Sequence, residues 1–188
     1  MNELKRYLPN KGDCADYTLF LDRDGVINRP IVDDYARVPE DFVFCDGAIE
    51  AITQLKRLFK RIVIVTNQQG VGREIMSSKD LENVHLKMYN GLKNKGVEYF
   101  DLVLYAPYIK TENHKWRKPQ NGMLMKTKSS FPDIDWSKSI MVGDSHGDMQ
   151  LADTLDILKV KIENPQFIFE NQVFQFPSLI DFVASVSN

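Results

Sequence analysis

The near-continuous aliphatic run at positions 61–65 is the feature that most limits how this chain can fold. Its residues, Arg61-Ile62-Val63-Ile64-Val65, are mostly β-branched, and the run is short for a helix, so it favours a strand. Apolar side chains would fall on both faces of that strand. We therefore predict that it lies inside a parallel sheet covered by helices on both sides.

Other short apolar runs alternate with segments of helical period. The clearest helix follows Ser77, which has capping-box spacing to Asp80, and continues with Leu81, Val84 and Met88 at helical intervals. We predict strands at 17–21, 61–65, 101–105, 139–142 and 157–162, and helices from about 47, over about 78–95, from about 122, from about 148 and after 178.

This alternation predicts an α/β fold built on a doubly wound, mostly parallel sheet. The 188 residues fit a single domain, 1–188, with a continuous core. The connection at 28–44 is long for a compact domain, and such loops are usually functional. For the aromatic-rich segment 164–176 we expect packing against an edge of the sheet.

The overall composition excludes several partner classes. The net charge of −2 argues against a nucleic-acid backbone or an anionic membrane as the main partner. No apolar stretch is long enough to span a bilayer. The two cysteines, Cys14 and Cys45, form no CxxC motif, which favours a reducing compartment. We expect a cytoplasmic monomer with a small-molecule substrate.

Polar signatures follow four of the predicted strands. In parallel sheets, ligands bind beyond the carboxyl ends of the strands, so these segments are expected at one edge. Each signature alone also fits a turn or a solvated loop, but the ordered set favours a site. The signatures are Asp22-Arg23-Asp24-Gly25, Thr66-Asn67, Arg117-Lys118 and Gly143-Asp144 with Asp148.

The residue types in this set suit phosphoryl transfer. Of Asp22 and Asp24, one can bind a divalent cation and attack phosphorus, while the other exchanges protons with the leaving oxygen. Lys118 supplies positive charge and Thr66 a hydroxyl group for the phosphoryl oxygens. Asp144 adds a second carboxylate for Mg²⁺.

The ordered motifs resemble those of the haloacid dehalogenase superfamily of phosphotransferases. The closer resemblance is to the branch that contains heptose-bisphosphate phosphatases and histidinol-phosphatase domains. It covers about residues 19–152. The segments that carry it are 20–28, 39–44, 65–71, 117–124 and 141–150.

The resemblance implies a role for each matching residue. Asp22 would be the nucleophile that forms an aspartyl-phosphate, and Asp24 the general acid and base. The implied catalytic residues are Asp22, Asp24, Thr66 and Lys118; the Mg²⁺ ligands are Asp22, the backbone carbonyl of Asp24, and Asp144; the substrate contacts are Asn67, Gln68, Gln69, Arg117, Asp33, Asp34 and Tyr35.

The chain also departs from the branch pattern. Many members carry a zinc loop with Cys-x-His followed by Cys-x-Cys, but the corresponding positions here are Ala106, Tyr108, His114 and Trp116. A closed zinc site needs four nitrogen or sulfur ligands, and His114 alone qualifies, so we expect no structural zinc. No large insertion separates the motifs, which implies a capless enzyme with an open site.

The function implied is a Mg²⁺-dependent phosphatase acting on a small sugar phosphate, with D-glycero-D-manno-heptose 1,7-bisphosphate first and histidinol phosphate second. A polynucleotide 3′-phosphatase shares the Thr-Asn-Gln and Arg-Lys-Pro segments, but the chain lacks a basic stripe for nucleic acid. A catalytically inactive binding module is the remaining alternative. The intact acidic residues and Lys118 argue against it.

Overall fold

The computed structural model describes residues 8–31, 34–97, 99–167 and 173–187. These residues form one six-stranded sheet and six α-helices. The strands are β1 (Thr18–Leu21), β2 (Arg61–Asn67), β3 (Leu102–Ala106), β4 (Ser139–Gly143), β5 (Leu158–Ile162) and β6 (Phe174–Phe176). The helices are α1 (Ala48–Leu58), α2 (Gln69–Gly72), α3 (Ser78–Lys93), α4 (Gly122–Ser130), α5 (His146–Asp153) and α6 (Leu179–Val186).

The strand order β3-β2-β1-β4-β5-β6 confirms the doubly wound fold. All the described pairings are parallel, and central strand β1 pairs with both β2 and β4. Phe20 lies beside Val63 on one side and Met141 on the other. The chain winds outward from β1 to β3 and then returns to β4. The resulting crevice between the carboxyl ends of β1 and β4 is where such folds bind ligands.

The two faces of the sheet carry separate hydrophobic clusters. Leu19 and Leu21 of β1 belong to the cluster that includes α1, α3 and α6. Phe20, between them, belongs to the opposite cluster with residues of α4 and α5. Because successive side chains in a strand alternate in direction, the uniformly apolar strands predicted from sequence serve both layers.

Helix boundaries follow the capping side chains. Ser77 caps α3: its Oγ accepts the Asp80 N–H at 3.1 Å, and Asp80 Oδ2 accepts the Ser77 N–H at 2.8 Å. This confirms the predicted capping box. A second box, between Ser145 and Asp148, starts α5 at His146, two residues before the predicted start. The reason is that Asp148 is the third residue of that helix and reaches back to its cap.

Two elements were not predicted, namely the short helix α2 and the edge strand β6. Phe174 and its neighbours pair with β5, which confirms edge packing for that part of segment 164–176. Residues 168–172 lie outside the described part of the chain. None of the helices in the described ranges combines the length and apolarity needed to cross a bilayer.

His85, on the inner face of α3, should make stability depend on pH. Its side chain is 9% exposed, and Nε2 has no hydrogen-bond partner among the described residues. Burial, with a smaller contribution from the nearby Arg23 charge, lowers the pKa of His85 from 6.5 to about 4. As the pH is lowered, His85 is therefore protonated near pH 6.5 in the unfolded chain but only near pH 4 in the folded chain. The free energy of unfolding falls across that interval.

We predict that His85→Leu weakens this dependence. Between pH 7 and pH 5 the wild type should lose about 2 kcal/mol more unfolding free energy than the variant. Urea unfolding at both pH values measures the difference. Equal losses in the two proteins would show that His85 is protonated as readily in the folded state as in the unfolded chain.

Candidate active site

The carboxyl edge of the sheet brings the predicted catalytic residues together. Asp22 directly follows β1, Thr66 lies near the end of β2, and Asp144 directly follows β4. Lys118 comes from the connection between β3 and α4. It is drawn to the same edge because its backbone exchanges two hydrogen bonds with the Asn67 side chain, at 2.9 and 3.1 Å.

Lys118 is the charged centre of the site. Its side chain is 2% exposed, and Nζ lies 2.8 Å from Asp22 Oδ1 and 2.6 Å from Asp148 Oδ1. A third bond, 2.9 Å long, goes to the carbonyl oxygen of Val65. An ammonium group has three protons to donate, so this buried Lys118 is fully satisfied.

Asp22 presents one of its two carboxylate oxygens to the site. Oδ1 accepts the Arg23 N–H at 2.7 Å and pairs with Lys118. Oδ2 has no hydrogen-bond partner among the described residues. Oδ2 is therefore the oxygen available to a reacting phosphorus atom or to a cation.

The acidic cluster carries more negative charge than the protein neutralises. Burial raises the pKa of Asp22 to about 8, with Lys118 opposing the shift. Burial and, after it, the charge of the neighbouring Asp148 raise the pKa of Asp144 to about 6. Burial alone would lower the pKa of Lys118, but the Asp148 and Asp22 charges raise it instead. In the absence of a cation, the cluster therefore favours uptake of a proton.

These residues fit a divalent metal ion. One carboxylate oxygen from each of Asp22, Asp144 and Asp148 lies within 4.8 Å of the others, and all three side chains are buried. Three carboxylates against the single Lys118 ammonium leave two negative charges, which one divalent cation balances. An all-oxygen donor set also suits Mg²⁺ better than softer metals.

The three carboxylates are not equivalent. Asp148 is committed within the protein, because Oδ1 pairs with Lys118 and Oδ2 accepts from the Ser145 backbone and hydroxyl at 3.1 and 2.6 Å. Asp144 is held by Asn164, whose Nδ2 donates to Oδ2 at 2.7 Å. Asp22 and Asp144 are thus the freer ligands. Asp24 is predicted to bind the metal ion through its backbone carbonyl. The cluster described here consists of side-chain oxygens and gives no information on that ligand.

Asp24 accepts hydrogen bonds on both carboxylate oxygens. Arg23 Nη2 donates to Oδ1 at 2.9 Å and to Oδ2 at 3.0 Å. Asn28 adds a bond to Oδ1 at 2.9 Å and Gln68 one to Oδ2 at 2.7 Å. Burial alone would raise the pKa of Asp24, but Arg23 and these bonds lower it overall. The carboxylate form is therefore the resting form of Asp24.

Two of the predicted substrate contacts are engaged within the protein. The Asn67 amide binds the Lys118 backbone, as described above. Gln68 is 1% exposed, and its Nε2 donates to Thr66 Oγ1 at 2.9 Å as well as to Asp24. Both amides therefore arrange the groups that surround the phosphoryl site.

The remaining predicted contacts lie around the rim of the site. Arg117 is half-buried, and its Nη1 donates to the Tyr108 carbonyl at 3.1 Å. Burial lowers the pKa of Arg117, and the nearby positive charge of Arg73 acts in the same direction. Tyr35 packs against Gly70 at the start of α2.

Other predicted rim residues differ in whether their polar groups are already bonded within the protein. Asp34 pairs with Arg37 on the exposed surface, at 2.5 and 2.6 Å. Gln69 is half-buried, and its Oε1 has no partner among the described residues. Asp33, the last of the predicted contacts, lies outside the described residues.

The positions that carry zinc ligands in related loops are packed side chains here. Ala106 is buried at the end of β3. The rings of Tyr108 and His114 stack with centroids 3.4 Å apart. Tyr108 and Trp116 pack against the cluster formed with α4 and α5. Aromatic packing therefore holds this loop to the body of the protein.

Sequence reasoning missed three residues of this site. Asn164 is 20 residues from the Asp144 carboxylate that it binds and follows β5, which carries none of the polar signatures. Asn28 is only four residues from Asp24, within the matching segment 20–28, but the sequence pattern gives it no role. Arg23 was quoted within the first motif but given no role. The available signal was its position between two functional acids, because adjacent residues at a strand end point in different directions.

Comparisons with known proteins identify the family of the chain. The sequence model of a family described as "Polynucleotide kinase 3 phosphatase" matches residues 18–171. The chain is 40% identical over 136 residues to D-glycero-alpha-D-manno-heptose-1,7-bisphosphate 7-phosphatase of Mycobacterium tuberculosis, covering 72% of this chain and 71% of that protein. It is 38% identical over 141 residues to D-glycero-beta-D-manno-heptose-1,7-bisphosphate 7-phosphatase of Photorhabdus laumondii, covering 71% and 73% respectively.

The fold also matches solved structures. One is D,D-heptose 1,7-bisphosphate phosphatase from B. bronchiseptica complexed with magnesium and phosphate. It has a TM-score of 0.81 and 25% sequence identity, over 89% of this chain and 96% of that one. The chain belongs to the haloacid dehalogenase superfamily of phosphatases, within the family that the matching sequence model describes. It is accordingly an enzyme that hydrolyses phosphate esters.

Gly25 provides a test of the metal cluster. It adopts φ = +82°, and a Cβ atom there would overlap Asp144 Oδ2. Gly96 has nearly the same φ, +83°, with nothing within 4 Å of its Cβ position. Both alanine variants should lose about 1–2 kcal/mol of stability from the left-handed backbone. Gly25→Ala alone should weaken Mg²⁺ binding, by about 10- to 100-fold, because Asp144 is displaced.

Calorimetric titration with Mg²⁺ and thermal unfolding of both variants separate the two effects. If Gly96→Ala weakened Mg²⁺ binding as much as Gly25→Ala, backbone strain and not the position of Asp144 would explain the loss.

Proposed function

We propose that the protein is a Mg²⁺-dependent phosphatase that hydrolyses D-glycero-D-manno-heptose 1,7-bisphosphate through an aspartyl-phosphate intermediate. The observation that carries this proposal is the buried Asp22 carboxylate. One of its oxygens is held by Lys118, and the other is left for reaction beside Asp144. The names of the relatives described above support the sugar bisphosphate as the substrate.

Asp22 performs the first step in this mechanism. Its Oδ2 attacks phosphorus, and the bond from phosphorus to the sugar oxygen breaks. Asp24, whose resting form is the carboxylate, takes up a proton from solvent before this step and gives it to the departing oxygen. Water then attacks the phosphorus of the aspartyl-phosphate, Asp24 takes a proton from that water, and the bond from phosphorus to Asp22 breaks to release inorganic phosphate.

Thr66 and Lys118 stabilise the charge that develops on the phosphoryl oxygens. Lys118 is held by three partners that accept all of its protons, so it acts on the phosphoryl oxygens through its positive charge and needs little reorganisation when they arrive. A Mg²⁺ ion held by Asp22, Asp144 and the backbone carbonyl of Asp24 would neutralise the acidic cluster and keep Asp22 ionised. Asp148 then serves to hold Lys118 and the start of α5.

The rim supports recognition of a second anionic group. Arg117 presents a planar guanidinium, which matches a phosphate or neighbouring hydroxyls better than a lysine would. Arg73 lies near enough to add positive charge. The rim is open, because the described segments between the catalytic motifs contain no cap domain. A small sugar with two phosphates fits these features.

Two alternatives keep some support. Histidinol phosphate would occupy the same phosphoryl site and leave Arg117 without an anion. The family description supports a 3′-phosphorylated polynucleotide, whereas the net charge of −2 opposes it. A catalytically inactive module is no longer an alternative, since the chain is a phosphatase.

Substitution of the two acids tests the mechanism. We predict that Asp22→Asn abolishes turnover, because an amide cannot form the aspartyl-phosphate. Asp24→Asn should lower kcat by about 10²–10⁴-fold, the usual contribution of a positioned acid or base. The loss should be smaller for p-nitrophenyl phosphate than for an alkyl phosphate, since its leaving group needs little protonation.

Steady-state rates with and without Mg²⁺ measure these effects, and EDTA should abolish wild-type activity without unfolding the protein. A wild-type rate for Asp22→Asn would refute the covalent mechanism. Equal losses on the two ester types would reduce Asp24 to a structural role.

Arg117→Ala tests the substrate assignment. We predict that KM for the heptose bisphosphate rises about 10- to 150-fold, the value of a lost charged contact, while KM for p-nitrophenyl phosphate stays nearly constant. Lys110→Ala, an exposed cation on the same connection, is the matched control and should change neither.

The same assay, extended to histidinol phosphate and a 3′-phosphorylated oligonucleotide, ranks the alternatives. Equal effects of Arg117→Ala on both substrates would assign Arg117 to the transferred phosphoryl group. No effect on either would favour histidinol phosphate, and fastest turnover of the oligonucleotide would replace the sugar assignment.

A further inference from the structure

Arg23 is one of the most completely buried side chains in the described structure, at 1% exposure. Its Nη2 binds both oxygens of Asp24, at 2.9 and 3.0 Å, and lies 3.2 Å from Gln68 Oε1. Its other two nitrogens, Nε and Nη1, have no hydrogen-bond partner among the described residues. The guanidinium is thus buried although only one of its three nitrogens makes hydrogen bonds.

Gln68 completes the connection to the phosphoryl site. Its Oε1 accepts from Arg23, which leaves its Nε2 facing Asp24 Oδ2 and Thr66 Oγ1 at 2.7 and 2.9 Å. The contact with Arg23 therefore sets the direction of the amide. One buried chain of hydrogen bonds joins Arg23, Gln68, Asp24 and Thr66.

This arrangement is costly if it serves only packing. A buried cation with unpaired donors is destabilising compared with an apolar side chain of similar volume. The neighbouring His85 cannot supply a counter-charge to Arg23, because an imidazole is either neutral or positively charged, and burial lowers its pKa to about 4. Asp24 is thus the anion that Arg23 contacts, and the favourable part of the burial is the fixed position of the Asp24 carboxylate.

We propose that Arg23, through its own contacts and through Gln68, is a positioning residue that holds Asp24 for proton exchange with the leaving group and with water. The inference rests on the proposed function, because it takes Asp24 as the acid and base. Arg23 itself touches neither substrate nor metal. Its contribution is to restrict Asp24 to one rotamer beside Thr66 and the reacting phosphorus.

A double-mutant cycle tests this role. Arg23→Met should lower kcat by about 10- to 100-fold with KM changed less than about twofold, because the phosphoryl-binding groups remain. In the Asp24→Asn background the same change should lower the residual kcat by less than about threefold, since the group it positions is already inactive. Heptose 1,7-bisphosphate is one probe, and glycerol 2-phosphate is a second that presumes no sugar.

Arg61→Met is the matched control. Arg61 is also a buried arginine paired with an aspartate, Asp133, at 3.2 Å, but it begins β2 at the opposite end of the sheet. Its loss should lower stability and leave kcat unchanged. If Arg23→Met does not fold, Arg23→Lys and Gln68→Met carry the same test. Each should give a smaller loss that again disappears in the Asp24→Asn background.

The outcomes distinguish the two hypotheses. The positioning role alone would be overturned if Asp24→Asn lowers kcat and Arg23→Met then lowers it by the same factor in that background as in the wild type. So would an unchanged kcat for Arg23→Met, or an equal loss for Arg61→Met. A wild-type rate for Asp24→Asn would overturn the acid–base assignment itself, and the role of Arg23 with it.

Discussion

The buried pairing of Lys118 with Asp22 and Asp148 is the interaction on which the rest of the site depends. It joins the connection after β3 to the end of β1 and to the start of α5, while the Val65 carbonyl adds β2. Breaking a buried pair of this kind leaves an uncompensated charge, which is strongly destabilising. Removal of Lys118, Asp22 or Asp148 would therefore leave buried charge without its full set of partners. The carboxyl edge is rigid because its charges can be satisfied in few other arrangements.

That rigidity separates the site into two parts. Under the proposed function, the buried part, with Asp22, Thr66, Lys118 and the acidic cluster, would handle the phosphoryl group, which is chemically the same in every phosphate ester. The rim, with Arg117 and the half-buried Tyr35, would face the portion of the ester that varies. On this proposal the chemistry depends on the core of the sheet, and the choice of substrate on side chains of its connections.

Local sequence patterns predicted most elements because their causes are local. The β-branched runs favoured strands, and the Ser77–Asp80 capping box starts α3 where expected. The errors also have local explanations. The sequence predicts a helix from about Asp148, yet Asp148 reaches back to Ser145 and places the start of α5 at His146. The strand β6 has three residues and is defined by its pairing with β5. A segment this short carries too little periodicity to be recognised alone.

The sequence by itself predicted the layered fold and the grouping of Asp22, Asp24, Thr66 and Asp144, because strand ends in a parallel sheet must share one edge. Lys118 lies in the connection after β3, and its expected place at that edge came from the order of the motifs and the chemistry of its side chain. Only the tertiary structure decided what each polar group faces. Gln68 and Asn67 were expected to contact substrate, but their amides bind Asp24, Thr66 and the Lys118 backbone. The sequence assigns no role to Arg23, whose guanidinium binds both carboxylate oxygens of Asp24 in the folded structure. A hydrogen bond depends on direction and distance within a few tenths of an ångström, and these are set by packing between segments remote in sequence.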